Sequence, residues 1–105
     1  MITNSIPKPV KIVSRKIRNS ARGEMCTLRT RHCNGNRETV VFAHVPTTYA
    51  GMGTKSNDLH GVYACSNCHS ALDEYLVGHN DILRALVETQ VKMYQKDLIT
   101  VTGAK

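Results

Sequence analysis

Four cysteines fall in two pairs, Cys26/Cys33 and Cys65/Cys68, and His69 directly follows the last of them. The tighter pair lies in Ala64-Cys65-Ser66-Asn67-Cys68-His69. Two thiolates at that spacing can grip one tetrahedral Zn²⁺ from a single turn. The looser pair, Cys26 and Cys33, can supply the other two ligands. Four sulfurs would close the coordination shell and leave no open position, so the expected zinc is structural and any chemistry lies beside it.

Other uses of paired cysteines fit less well. Two disulfides would require an oxidising compartment, and the opening residues carry Pro7 and Pro9 with no apolar stretch of signal-peptide type. The expectation is therefore a reducing, cytoplasmic setting. A thioredoxin-like C-x-x-C needs a surrounding βαβ pattern, which is missing. A c-type haem attachment string would leave Cys26 and Cys33 without a role.

Size favours a metal staple. At 105 residues, with no Trp, one Phe and four Tyr, the chain has a thin core for its single domain. Bound zinc can supply much of the folding free energy of such a chain. No run approaches the apolar length of a membrane span, so no membrane partner is expected.

Charge is uneven along the chain. Residues 1–37 hold nine Lys or Arg against one acid, Glu24, whereas residues 38–105 hold five against seven; the whole carries +6. A cationic block of this kind draws polyanions, chiefly nucleic acid, through counterion release. A solvated basic tail is the plainer alternative.

The elements that must position these residues can be read coarsely. Residues 1–13 form an extended basic arm, residues 14–100 the domain, and 101–105 a tail. Ser14 can cap a short helix over 15–22, with Gly23 ending it. Asn34-Gly35-Asn36 signals a turn into the β-rich run 39–45, which Pro46 stops. Gly51, Gly53 and Gly61 frame a loop. Val62-Tyr63-Ala64 forms a second strand that delivers Cys65 to a helix over about 66–76, broken by Gly78. Asn80 or Asp81 caps a final helix to about residue 97. Leu83, Leu86 or Val87, Val91, Tyr94 and Leu98 follow helical spacing and are expected to face the core.

A strand ending in His, a loop, a second strand and a helix opening on C-x2-C-H is an order that resembles the HNH (His-Me finger, ββα-metal) endonucleases. The likeness extends to the YbcO-like nucleases of lambdoid phages and prophages. It is carried by Ala21-Arg22-Gly23-Glu24-Met25-Cys26, Cys33-Asn34-Gly35-Asn36-Arg37-Glu38-Thr39, Ala43-His44, Gly53-Thr54-Lys55 with Asp58-Leu59, and Ala64 to His69 with Asp73. The implied fold is a small α+β, zinc-stapled ββα-metal domain with a C-terminal amphipathic helix.

The resemblance also implies roles. His44 is the general base, since an imidazole there can take a proton from water near neutral pH. His69 and Asp73, four residues apart and so on one helix face, hold a catalytic Mg²⁺ or another divalent metal. Arg15, Lys16, Arg18, Arg22 and Lys55 hold the DNA backbone, and the four cysteines hold structural zinc. The sequence departs from many HNH enzymes at Ala43, where a metal ligand often stands. The position often filled by Asn falls among Asn57, Asp58 and His60. Glu38 is a further candidate to orient His44. Plain structural roles stand beside these: a packed strand histidine for His44, a knuckle contact for His69, a solvated helix residue for Asp73. His32, His60 and His79 are expected at the surface.

The expected function is metal-dependent hydrolysis of DNA phosphodiesters in a phage or prophage context. The alternative is a non-catalytic nucleic-acid-binding zinc module serving phage recombination or replication, and a protein-interaction zinc domain is a third. The residues leave the oligomeric state open.

Overall fold

A computed structural model describes residues 12–46 and 57–104. Most of the expected arm, the Gly51/Gly53 part of the loop and Lys55 lie outside the described residues. The order is α1 (Arg15–Asn19), a single 3₁₀ turn (Arg37–Thr39), β1 (Val41–His44), β2 (Gly61–Ala64), α2 (Ser66–Asp73) and α3 (His79–Gln95). The two strands pair antiparallel, with His44 opposite Gly61 and Phe42 opposite Tyr63. This is an α+β arrangement in which a two-stranded sheet leads into a helix that opens at Cys65.

A two-stranded sheet is marginal unless something covers it. All four residues of β2 are buried. The backbone N–H of Tyr63 donates to Thr89 Oγ1 at 3.3 Å, and its carbonyl accepts from Thr27 N at 2.7 Å and Thr27 Oγ1 at 3.0 Å. Thr27 and Thr89 are themselves bonded at 3.0 Å and fully buried. Both backbone groups of Tyr63 are thus met, by Thr27 and by Thr89 of α3. Beneath lie Leu28, Val62, Leu72 and Ala85, all inaccessible to solvent.

α1 is tied to the same core. The Ser14 hydroxyl accepts from Ile17 N at 3.2 Å, as an N-cap does. Ser20 Oγ donates to the Ile17 carbonyl at 2.6 Å, which leaves the Tyr63 hydroxyl as donor to Ser20 at 2.7 Å. The helix is shorter than the expected 15–22, because the chain turns from residue 20 onward.

Three further expectations need correction. The β-rich run 39–45 yields a strand only from Val41, since Arg37–Thr39 close a 3₁₀ turn capped by Asn36. α2 ends before Gly78: Tyr75 adopts φ 59°, while Leu76 N bonds to the Ala71 carbonyl and Tyr75 N to that of Leu72. That is a Schellman closure made by a residue other than glycine. Asp97, at φ 59°, closes α3 in the same way, and α3 starts from Gly78, with no side-chain cap from Asn80 or Asp81.

The face of α3 also differs from expectation. Its buried residues are Ile82, Ala85, Thr89 and Met93, with Leu86 partly buried against them. Leu83, Val87 and Val91 are each half or more exposed. Beside them Tyr94, Ile99, Val101 and Ala104 line an open groove of about 370 Å³.

Candidate functional site

The cysteines converge. The sulfurs of Cys26, Cys33, Cys65 and Cys68 all lie within 4.8 Å of one another, and none is in a disulfide. Cys33 and Cys65 sulfurs stand 3.8 Å apart. Sulfurs about 2.3 Å from a central zinc, at tetrahedral angles, would be about 3.8 Å apart, so the donor set and its spacing fit that ion. The four residues could hold a metal ion such as zinc.

The surrounding backbone supports thiolates. Arg29 N donates to Cys26 Sγ at 3.5 Å from a left-handed φ of 43°. Cys65 caps α2, and its sulfur accepts from Cys68 N at 3.4 Å. Thr30 Oγ1 lies 3.3 Å from Cys68 Sγ. Gly35, at φ 67°, turns its N–H toward Cys33. Burial is the largest influence on the Cys33, Cys65 and Cys68 thiols and pushes each of them upward. It carries Cys68 up to about 12, while at Cys65 the N–H donors of Asn34 and Cys68 and the neighbouring sulfurs outweigh it and bring the group down to about 7. A divalent cation at the centre would remove these protons outright.

At the other end of the sheet from Cys65, where β1 finishes opposite Gly61, His44 meets Asp58. Its Nε2 lies 2.7 Å from Asp58 Oδ1, and the His44 side chain is 26% exposed while that of Asp58 is fully buried. Two other donors reach the same carboxylate: Ser14 N at 2.6 Å to Oδ2, and Arg18 Nε at 3.0 Å to each oxygen. Burial alone would raise the Asp58 carboxyl, but the His44, Ser14 and Arg18 bonds together hold it below the ordinary carboxylate range. The His44 ring stands edge-on to Phe42, with centroids 5.3 Å apart and planes at 88°. Phe42 in turn lies over Gly61, where a β-carbon would fall inside the aromatic ring. Glycine opposite His44 is therefore a packing requirement.

His69 and Asp73 form a separate pair on α2, with Nε2 3.5 Å from Oδ2 and both side chains well exposed. Among the described residues, His44, His69 and Asp73 do not gather into a group of three ligand atoms; the four cysteines do. Ala43 is buried in the core, so that position on β1 offers nothing to a metal. Glu38 sits exposed in the 3₁₀ turn, and Asp58 is the carboxylate that orients His44. His32 and His60 are partly covered and His79 is exposed.

The basic residues divide. Arg15, Lys16 and Arg22 are exposed, and no described carboxylate pairs with them. Arg18 is committed through Nε to Asp58, with its side chain 45% exposed. Arg29 is spent on a two-pronged contact with Glu88 at 2.8 and 2.7 Å. No helix among the described residues is long and apolar enough to cross a membrane.

A strand pair and helix holding a four-cysteine cluster, with a buried carboxylate orienting a histidine beside exposed cations, define a small α+β domain whose cysteines could hold a metal ion. Comparison with known proteins is more specific. The chain belongs to the family described as "Putative nuclease YbcO", which matches residues 15–102. Two relatives are each 48% identical over 59 residues, 54% of this chain and 62% of theirs: "Putative nuclease YbcO" of Escherichia coli strain K12 and "Putative nuclease ybcO" of Enterobacteria phage 82. The match thus spans under two thirds of either relative. A solved structure described as a putative bacteriophage protein from Escherichia coli K-12 superposes with a TM-score of 0.61 at 32% identity, covering 78% of this chain and all of the other.

Proposed function

We propose that this protein is a metal-dependent DNA endonuclease of HNH type, acting in a phage or prophage setting. The observation that carries the reading is the partly exposed His44, oriented by the buried Asp58 at the end of β1 and adjoining the cationic α1. The family and its phage relative support it. His44 is the general base. It takes a proton from water as the water oxygen bonds to phosphorus; the phosphorus–oxygen bond to the leaving sugar oxygen breaks, and that oxygen gains a proton from solvent. His69 and Asp73, an imidazole and a carboxylate one turn apart, suit a hydrated divalent cation. Such an ion, when bound, would stabilise charge on the phosphate and the leaving oxygen. Cys26, Cys33, Cys65 and Cys68 hold structural zinc. Arg15, Lys16, Arg18 and Arg22 hold the phosphate backbone, and Lys55 is assigned to it from the sequence alone.

The test is plasmid nicking by the purified protein with Mg²⁺, Mn²⁺, Ni²⁺ or Zn²⁺, beside His44→Ala. Nicking is expected to fall at least about a hundredfold in the variant, with zinc content and fold unchanged. Full activity in His44→Ala would overturn the assignment. One observation favours a non-catalytic DNA-binding module instead: His44 is not grouped with the His69–Asp73 pair into a three-ligand site. That reading expects salt-sensitive DNA binding, no nicking with any of these metals, and indifference to His44→Ala.

A further inference from the structure

We propose that Asp58 makes Nδ1 of His44 the proton-accepting atom of the site, and that the outer edge of Arg18 takes a backbone phosphate and so registers the nucleic acid against that atom. The reaction in this proposal rests on the nuclease reading; the geometry does not.

The argument begins with what a carboxylate can do. Ionised Asp58 only accepts hydrogen bonds, and His44 Nε2 lies 2.7 Å from its Oδ1. Nε2 must therefore carry the hydrogen. A neutral imidazole has one N–H, so the lone pair is on Nδ1, which no described residue engages. The edge-on contact with Phe42 fixes the plane of the ring, and the Asp58 bond fixes its rotation within that plane.

Arg18 is held by the same carboxylate. Only its Nε is spent there, shared between the two oxygens at 3.0 Å each. Its Nη1 and Nη2 have no acceptor among the described residues, and the side chain is 45% exposed. A planar guanidinium presented edgewise is suited to a phosphate taken by two parallel bonds. Because one buried side chain fixes both Arg18 and His44, a phosphate seated on Arg18 stands at a set place relative to Nδ1. The backbone N–H of Ser14, also on Asp58, ties this arrangement to the start of α1. Asp58 is thus a positioning residue, and Arg18 a phosphate-binding one.

The experiment uses full-length, zinc-loaded protein with ¹⁵N-labelled histidine. Long-range ¹H–¹⁵N spectra are expected to show neutral His44 as the single Nε2–H tautomer. In Asp58→Asn, the Ser14 N–H still demands an acceptor, which turns the amide NH₂ toward His44; the tautomer is expected to switch to Nδ1–H, and cleavage to fall about a hundredfold. A tautomer mixture in the wild type, or an unchanged tautomer in Asp58→Asn, would overturn the assignment whether or not the protein cuts DNA.

The Arg18 half is read separately. Titration with inorganic phosphate is expected to shift the His44 ring signals in the wild type and leave them still in Arg18→Lys. In nicking assays Arg18→Lys is expected to raise KM about tenfold and to lower kcat as well, because the phosphate is no longer set against Nδ1. Equal phosphate response in both proteins would refute the phosphate site. A protein with the expected spectra but no nicking would instead remove the nuclease reading and leave this geometry standing.

Discussion

A carboxylate buried as deeply as Asp58 survives in its charged form only because donors surround it. Ser14, Arg18 and His44 supply them from α1 and β1, and together they outweigh the burial penalty. The sign of the consequence follows. Its folded-state pKa lies below that of an unfolded carboxyl, so Asp58 adds stability in full above about pH 4, and that contribution fades as the pH falls through its lower folded value. Melting temperature measured against pH should therefore separate wild type from Asp58→Asn widely at pH 6–7, and the gap should narrow steadily in acid below about pH 4. A gap independent of pH would mean that shape, not charge, is what the site needs from Asp58. The sequence offers Asp58 only as one of three candidates, with Asn57 and His60, for a position near the second strand; its bonds to His44 and Arg18 are not legible there. Asp58 is 14 residues from His44 and 40 from Arg18, and only the fold joins them. His44 could be singled out because the order of a strand ending in histidine, a loop, a second strand and a C-x2-C-H helix resembles the HNH endonucleases.

Elements show the same division between local and distant information. The cysteine knuckles were legible because each is a short stretch closed by its own backbone: Cys26 with Arg29, Cys65 with Cys68. The strands were legible from neighbouring β-favouring residues, Val40, Val41 and Phe42 for one and Val62 and Tyr63 for the other. Helix ends were not, because Tyr75 and Asp97 take left-handed positions at which glycine is the usual signal. The inner face of α3 was misread for a different reason. Leu83, Val87 and Val91 have helical spacing, but so do Ile82, Ala85, Thr89 and Met93. Between Ile82 and Met93 the latter stripe is interrupted by small Ala85 and polar Thr89, and Thr89 is inside because it bonds Tyr63. Substitutions can check which face is core. Met93→Ala, at a fully buried site, is expected to cost about 2–5 kcal/mol in chemical denaturation. Val91→Thr, half exposed, should stay within about 0.5 kcal/mol. On the sheet, Gly61→Ala should cost about 1–3 kcal/mol by driving Phe42 away, and should reduce nicking through the His44 ring that Phe42 supports. Normal activity in a destabilised Gly61→Ala would uncouple Phe42 from the site.

At the scale of the whole molecule, two features organise the chain: a cysteine cluster that joins the segment before β1 to α2, and a charge distribution weighted to the first third. The cluster brings residues 26 and 33 to 65 and 68 in a domain whose sheet, among the described residues, has two strands. Its ligands must lose protons to bind metal, and Cys68 is pushed up to about 12. Metal retention should therefore weaken as the medium becomes acidic, and a chelator should unfold the domain; one zinc per chain, released together with loss of the circular-dichroism signal, is the expected result. A folded, metal-free protein would show that the core suffices. The charge has a separate test. Of the described cations before residue 30, Arg29 is neutralised by Glu88 and Arg18 is partly held by Asp58, whereas Arg15, Lys16 and Arg22 stand exposed without a described partner. If those three meet phosphates, each contributes about 0.9 to the slope of log affinity against log salt for duplex DNA. Replacing Lys16 and Arg22 together by alanine should lower that slope by about two, with equal weakening on unrelated sequences, because phosphate contacts carry no base information. Arg29→Ala, although it also removes a positive charge, should leave the slope nearly as it was. Equal losses from both changes would mean that net charge alone, and not the face built on α1, draws the nucleic acid.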